Sequence, residues 1–350
     1  MNRKNTRAIM VGPVQVGGGA PIRVQSMTNT DTRDVKATVA QIGALVEQGC
    51  EIVRVAVPDQ AAAAVLPQII KESGVLVIAD IHFDHRLALA AVAAGVSCLR
   101  INPGNIGGKG KIREVVAAAR ERNIPFRIGV NAGSLEKQFI ERDGGVTAGA
   151  MVDSALNHVK ILEDLNYTNL KISLKASNLS LMLEAYRSIS RLVDYPLHIG
   201  VTEAGTPGYG TIKSAVGIGI LLEEGIGDTI RVSLTGDPVQ EVKVAYDILK
   251  ALGLRQKGVE LISCPTCGRT QIDLIRIAEE VEEKLRLVDK PLTVAVMGCT
   301  VNGPGEAREA DIGIAGGKGM GLIFRKGVIQ RKVEEGRLVE ELLLEISEMQ

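Results

Sequence analysis

Three of the chain's five cysteines stand close together near its C-terminal end. Cys264 and Cys267 form a Cys-x-x-Cys pair within Ser263-Cys264-Pro265-Thr266-Cys267-Gly268-Arg269-Thr270. Cys299 follows within Met297-Gly298-Cys299-Thr300-Val301-Asn302-Gly303-Pro304-Gly305-Glu306-Ala307. The Cys-x-x-Cys spacing points two thiolates at one metal centre, and Cys299 lies far enough along to return from a helix and supply a third. No further cysteine follows, and all four histidines lie upstream. Glu306, seven positions after Cys299 on a Gly-Pro-Gly turn, is the nearest candidate for a fourth ligand. Three chemistries fit. Iron–sulfur clusters are held by cysteine thiolates, and three thiolates plus one weaker oxygen ligand leave one iron exchangeable. Structural zinc closes its shell with four Cys or His ligands, and here the fourth is missing. A redox dithiol uses Cys-x-x-Cys alone and leaves Cys299 without a role.

A second set of reactive side chains lies upstream on short β-branched runs. These are Ile22–Ser26, Ile52–Val57, Val75–Ile81, Cys98–Asn102, Phe126–Asn131, Leu170–Leu174, Leu197–Thr202 and Thr229–Ser233. Strands buried on both faces should be apolar throughout. Several of these alternate instead. Arg54, Arg100, Arg127 with Asn131, Lys171 with Lys175, and Arg231 with Ser233 each share one face of a run whose other face is apolar. The apolar face must meet covering helices, so the polar face points inward. Six cations then face few acids, of which Asp80 and Glu203 stand at comparable positions. Unpaired buried cations are costly, so the set calls for internal salt bridges or a multiply anionic ligand. Phosphate or diphosphate is the simplest such ligand, because the planar guanidinium binds phosphate oxygens in pairs.

The elements that position these groups follow from the same pattern. Amphipathic Ala/Leu/Ile-rich segments lie between the runs, among them Val35–Gln48, Arg86–Ala94, Ile112–Arg122, Leu179–Leu192 and Pro238–Leu252. Strands alternating with helices imply a parallel sheet. Eight units before about Leu252 predict a (β/α)₈ TIM barrel, an α/β fold, over residues 1–255. The alternative, a doubly wound open sheet, lacks a Gly-x-Gly-x-x-Gly turn after its first strand. Residues 256–350 read as a small α/β cluster-binding domain, with a helix over Ile272–Leu287, strands over Leu292–Met297, Asp311–Ala315 and Gly321–Arg325, and a closing helix over Val339–Met349.

Strand ends at the C-terminal face of such a barrel point into its active site. His82 ends the third run and Glu203 the seventh. Either can donate a proton to a departing oxygen. Either can equally be structural, His82 bonded to backbone and Glu203 paired with an arginine. His85, His158 and His198 read as structural or surface residues, and Cys50 and Cys98 as small apolar ones. The Gly-rich stretches Asn102–Gly108 and Ala204–Gly210 suit phosphate oxygens, although any βα turn uses glycine.

Composition excludes several classes. Acidic and basic residues balance at 41 each, so no charge excess holds nucleic acid or an anionic membrane. Aromatics make up 3% and Trp is absent, which leaves no base-stacking platform. Five cysteines, an odd number, without a signal-peptide pattern predict a reducing cytoplasm. The longest apolar stretch, Leu87–Val96, is too short to span a bilayer.

The cysteine blocks resemble those of the 4-hydroxy-3-methylbut-2-enyl diphosphate synthase family, iron–sulfur oxidoreductases of the non-mevalonate isoprenoid pathway. The likeness continues through Val24-Gln25-Ser26-Met27-Thr28-Asn29-Thr30, Asp80-Ile81-His82-Phe83, Arg100-Ile101-Asn102-Pro103-Gly104-Asn105, Arg127-Ile128-Gly129-Val130-Asn131, Val201-Thr202-Glu203-Ala204-Gly205 and Arg231-Val232-Ser233. It covers nearly the whole chain. The short gap before Cys264 leaves no room for the extra domain of some members, so the chain resembles the two-domain form. The resemblance implies a [4Fe–4S] cluster on Cys264, Cys267, Cys299 and Glu306. It implies reductive ring opening and dehydroxylation of 2-C-methyl-D-erythritol 2,4-cyclodiphosphate to 4-hydroxy-3-methylbut-2-enyl diphosphate. Arg54, Arg100, Arg127, Lys175 and Arg231 would hold the diphosphate, with Asn131 and Ser233 adding hydrogen bonds. Glu203 would be the local acid and His82 a neighbour of the substrate. Electrons would arrive singly from ferredoxin or flavodoxin, since the chain shows no flavin or nicotinamide motif.

Two other classes compete: a non-redox sugar-phosphate barrel with a structural zinc module, and an electron carrier fused to a binding barrel. Iron, sulfide and turnover of the cyclodiphosphate discriminate among them. The chain path also predicts an assembly. The last barrel helix runs away from the mouth, so the chain leaves the barrel at the bottom. About a dozen residues then lead to Cys264, at most about 40 Å when extended. Two-fold symmetry relieves the strain by letting each cluster module serve the other subunit's barrel. A homodimer is therefore expected, and the family is associated with such a head-to-tail pair.

Overall fold

A computed structural model describes residues 3–286, 288, 290–299 and 307–349. The chain divides into two compact units, Met1–Arg255 and Gln256–Gln350.

The first unit opens with a hairpin that the sequence reading did not anticipate, β1 (Ile9–Val11) and β2 (Val14–Val16). Each strand has only three residues, too short for a periodic signal. Their Ile9, Val11 and Val16 pack on Ile52, Ile78 and Cys98, residues near the N-terminal ends of three barrel strands. The hairpin thus plugs the bottom of the barrel.

The expected parallel barrel follows. Its strands are β3 (Arg23–Met27), β4 (Ile52–Ala56), β5 (Val77–Asp80), β6 (Cys98–Arg100), β7 (Phe126–Asn131), β8 (Leu170–Lys175), β9 (His198–Ile199) and β10 (Thr229–Ile230). They pair in the order β8-β7-β6-β5-β4-β3-β10-β9, and a bridge between Ile172 and Leu197 returns β9 to β8. β9 and β10 are shorter than the runs Leu197–Thr202 and Thr229–Ser233. Beyond them Arg231 N–H donates to the Ile199 carbonyl at 3.0 Å and Thr235 N–H to the Gly205 carbonyl at 2.9 Å. The apolar faces, such as Val53, Val55, Leu99, Ile128, Val130, Ile172 and Leu174, join one core with the surrounding helices. Burying each of these side chains contributes roughly 1.5–3 kcal/mol.

Short polar side chains start the helices that follow the strands. Asp34, Asp59, Asp84, Thr147, Asn178 and Asp237 each cap a helix by accepting a backbone N–H. The helix after strand β9 begins at Pro207, inside the Gly-rich stretch Ala204–Gly210. Proline's missing N–H costs nothing in the first turn. At the end of the barrel, Arg255 donates to the Ile22 carbonyl at 3.0 Å and to Glu51 at 2.7 Å. This ties the exit of the unit to the N-terminal side of β3, the bottom of the barrel.

The second unit is a five-stranded sheet, β11 (Glu260–Ser263), β12 (Thr293–Met297), β13 (Ile312–Gly317), β14 (Met320–Arg325) and β15 (Val328–Glu334), in that spatial order. The first three are parallel and the last two antiparallel. β11 and β15 escaped the sequence reading, because both are mostly exposed edge strands with charged residues. One sheet face, Val294, Val296, Ile312, Ile314 and Ile323, packs on the helices Leu274–Leu285 and Leu338–Glu348. No helix among the described residues is long and apolar enough to cross a membrane.

Candidate functional site

Inside the barrel the polar strand faces come together. Asp80 is the hub. Its Oδ1 lies 3.3 Å from Arg100 Nη1 and 3.6 Å from His82 Nε2, and its Oδ2 lies 3.7 Å from Arg54 Nε. Arg100 also contacts His82 Nδ1 at 3.1 Å and donates to the Gly129 carbonyl at 2.9 Å. Arg54 donates to the Met27 sulfur at 2.8 Å. Arg127 Nε donates to Ser173 Oγ at 3.2 Å, and Arg127 is only 2% exposed. Lys171 and Lys175 are buried too. Arg231 reaches Glu241, on the helix Pro238–Ala251, at 3.4 Å.

The electrostatics follow from burial with too few acids. Burial alone would raise the Asp80 carboxyl, but Arg54, the His82 hydrogen bond and Arg100 hold it well below the usual carboxylate range. Burial pushes Arg54 down to about 10 despite Asp80. Arg127 and Lys175 fall well below their ordinary values, through burial first and then through mutual repulsion with the other cations. Among the described residues Arg127 Nη1 and Lys171 Nζ are buried without a hydrogen-bond partner.

Two inward glycines make room for these cations. A Cβ at Gly129 would lie 2.6 Å from Arg100 Nε, and one at Gly200 would lie 2.9 Å from Lys175 Nζ and 2.3 Å from the Arg231 carbonyl. Sequence reasoning put Gly129 on the inward face without giving it a role, and it did not single out Gly200. It also missed His198, which lies fully buried on the inward side with Nδ1 2.8 Å from Thr229 Oγ1. Burial and then the neighbouring Arg127, Lys175 and Lys171 push His198 far down, so it stays neutral. His158, also buried, accepts the Gly104 N–H at 3.2 Å and lies 2.9 Å from Glu136, which anchors the loop after β6. Cys50 and Cys98 are buried, and burial pushes the Cys50 thiol up to about 12.

The remaining candidates sit at the mouth. Asn131 ends β7 and is half-buried. Ser233 is half-buried after β10. Glu203 is exposed beyond β9, and its backbone takes φ +52°. Left-handed backbone in a residue other than glycine costs roughly 1–3 kcal/mol and gathers at functional sites.

Lys171 provides a test of the field. Burial lowers its pKa from 10.5 to about 8. Between those values the unfolded chain binds more protons than the folded one, so stability rises with pH across that window. Below it the full cost applies, about 3 kcal/mol at roughly 1.4 kcal/mol per pH unit. Lys171→Met is therefore expected to raise the urea midpoint of the barrel at pH 7. The gain should shrink as pH climbs from 8 toward 10. An unchanged midpoint at pH 7 would show that the amine has a stabilising partner.

The second unit assembles the cysteines on adjacent strand ends. Cys264 follows β11 and donates its N–H to the Val296 carbonyl at 3.3 Å. Gly298, one residue past β12, donates its N–H to Cys264 Sγ at 3.2 Å. Cys299 is the next residue and is buried. Cys267 is exposed in a turn closed by Thr270, whose Oγ1 accepts the Cys267 N–H at 3.2 Å. A backbone N–H and the guanidinium of Arg269 hold the Cys267 thiol below its ordinary value. Glu306 lies outside the described residues.

Among the described residues no three His, Cys, Asp or Glu side chains converge tightly enough to hold one metal ion. A cubane spreads its thiolates over separate iron atoms and uses hydrogen bonds to sulfur to set its potential. Three thiols on neighbouring loop ends, one already accepting a backbone N–H, fit that donor set.

Comparisons with known proteins agree in both units. Residues 6–246 match the GcpE TIM-barrel domain, and residues 260–348 match the GcpE protein C-terminal domain. A protein of Geobacter sulfurreducens named 4-hydroxy-3-methylbut-2-en-1-yl diphosphate synthase (flavodoxin) is 63% identical over 99% of this chain and 98% of its own length. Its namesake in Clostridium acetobutylicum is 62% identical over the full length of both. One in Geobacillus kaustophilus is 58% identical over 100% of this chain and 93% of its own. Among solved structures, an N-acetylneuraminic acid synthetase from Leptospira borgpetersenii aligns at TM-score 0.51 and 12% identity, over 82% of this chain and 99% of its own. A Xanthomonas albilineans dihydropteroate synthase gives 0.51 and 13%, over 71% and 98%. Those two share the fold alone. The chain belongs to the GcpE family, that of the 4-hydroxy-3-methylbut-2-en-1-yl diphosphate synthases.

Proposed function

We infer that this chain converts 2-C-methyl-D-erythritol 2,4-cyclodiphosphate to 4-hydroxy-3-methylbut-2-en-1-yl diphosphate in isoprenoid biosynthesis. Two electrons and two protons enter, the ring opens, and one hydroxyl leaves as water. The observation that carries this reading is identity of 58–63% over nearly the full length to synthases of that name. Their names specify flavodoxin, which we take as the electron donor here, with ferredoxin as the alternative expected from the sequence. The excess of inward cations supports a diphosphate substrate independently.

In this reading Arg54, Arg100, Arg127, Lys175 and Arg231 bind the diphosphate oxygens. Asn131 and Ser233 add hydrogen bonds at the rim. Asp80 keeps Arg54 and Arg100 aligned, and His82, within reach of Asp80 and Arg100, borders the substrate. Glu203 holds the proton for the departing hydroxyl. Cys264, Cys267 and Cys299, with Glu306, would hold a [4Fe–4S] cluster. When bound, that cluster supplies single electrons and an iron able to take an oxygen ligand. Thiols kept reduced suit a cytoplasmic protein.

The direct test is turnover of the cyclodiphosphate by anaerobically prepared protein with reduced flavodoxin, together with iron and sulfide analysis. Product formation by a protein carrying iron and sulfide is expected. Zinc without sulfide, or no product from loaded protein, would overturn the reading. Arg127→Ala should raise KM roughly 10- to 150-fold, the equivalent of a charge-assisted contact of about 1.5–3 kcal/mol. Its iron content should stay intact. Unchanged KM values in both Arg127→Ala and Arg231→Ala would mean that these strands bind something else.

The homodimer expected from the chain path has its own test. Glu203→Gln and Cys264→Ser subunits, each inactive alone, are mixed after dissociation. Activity should reappear in mixed dimers, because one of the two sites then carries neither lesion. A fully active monomer, or no recovery from verified mixed dimers, would count against it.

A further inference from the structure

Among the candidate substrate cations, Arg54 and Arg100 share Asp80, and Arg127 has only a hydroxyl. Arg231 has a carboxylate of its own. Glu241 rises from the first turn of the helix Pro238–Ala251 and is only 4% exposed. Its Oε2 lies 3.4 Å from Arg231 Nε and its Oε1 lies 3.5 Å from Arg231 Nη2. The same carboxylate accepts Ser26 Oγ–H at 3.0 Å and the Leu234 N–H at 3.0 Å. Ser26 lies on β3 and Leu234 follows Ser233, so Glu241 stitches the first barrel strand to the segment after the last. Few strand hydrogen bonds do so, since β10 and β3 pair only at Thr229–Arg23 and Ile230–Val24.

A guanidinium has two forks. Glu241 occupies the Nε/Nη2 edge, and Nη1 on the other edge lies 3.8 Å from the Met27 sulfur, beside Arg54. The field of Glu241 also reaches Arg54 and Lys175 and favours their charged forms. A buried carboxylate that takes the Nε/Nη2 edge and leaves Nη1 only a long thioether contact orients the cation.

We propose that Glu241 is a positioning residue that aims the Nη1 edge of Arg231 at the diphosphate. The proposal rests on the diphosphate reading given above. Glu241 touches no substrate. It acts through Arg231.

The test is a double-mutant cycle in the holoenzyme, read as KM and kcat with reduced flavodoxin as donor. Glu241→Gln keeps the size and an acceptor oxygen but loses the charge. It should raise KM roughly tenfold and leave kcat within about twofold. Glu241→Asp, which restores charge, should recover part of that loss. In an Arg231→Ala background, Glu241→Gln should change KM by less than about twofold, because the partner it positions is gone. Multiplying effects in the double variant, or a KM unchanged by Glu241→Gln, would overturn the proposal. A damaged fold would show instead as a lowered kcat, early melting and no rescue by Glu241→Asp, which also overturns it. If Arg231→Ala alone leaves KM unchanged, the Glu241 role fails; if Arg127→Ala does so as well, the diphosphate reading itself fails, and the two outcomes are distinct.

Discussion

Cys299→Ser is expected to strip the protein of iron and sulfide and to take turnover below detection. Cys299 lies buried one residue beyond Gly298, whose own N–H is committed to Cys264 Sγ. A serine oxygen at that place is a harder, less readily ionised donor than a thiolate. The strand end packs closely on β13, where a Cβ at Gly316 would lie 2.7 Å from the Gly298 carbonyl oxygen. Glu306→Ala should behave differently. It should keep part of the iron but lose most turnover, since an oxygen ligand is the one that yields to substrate. Iron, sulfide and the visible absorption band, measured on anaerobic protein, separate the two variants. Full iron content in Cys299→Ser would remove Cys299 from the ligand set, and full activity in Glu306→Ala would remove Glu306 from a functional role.

Glu203→Gln carries the second large effect. General acid catalysis contributes roughly 10²- to 10⁴-fold, so kcat should fall by that order while KM and iron content hold. The backbone adds a second readout. Glu203 sits at φ +52°, a conformation glycine adopts freely. Glu203→Gly should therefore raise thermal stability while turnover collapses as in Glu203→Gln. This opposition of stability and activity marks strain held for function. A Glu203→Gln enzyme with wild-type kcat would assign the proton to another group, and His82 is the next candidate by position. A Glu203→Gly protein less stable than wild type would show that the exposed carboxylate makes contacts worth more than its strain.

Much of this protein was legible in its sequence because two periodicities are strong. Alternating Arg or Lys against Val, Ile or Leu over Ile52–Ala56, Phe126–Asn131 and Leu170–Lys175 predicted both strand and facing, since a period of two allows only one inward set. The cysteine blocks carried the resemblance to the family that the full-length relatives show. Glu241 could not be found that way. It lies on a helix whose pattern assigns it no role; the turn from β10 into that helix brings it to Arg231, and the closing of β10 onto β3 brings it to Ser26. The hairpin under the barrel was equally silent, since three-residue strands carry no period. His198 looked like an ordinary structural histidine until β9 turned it toward Arg127, Lys175 and Lys171. Sequence determined which side chains face inward, because that depends on neighbours two residues apart. Tertiary structure decided which of them share a charge, because that depends on how a ring of eight strands closes.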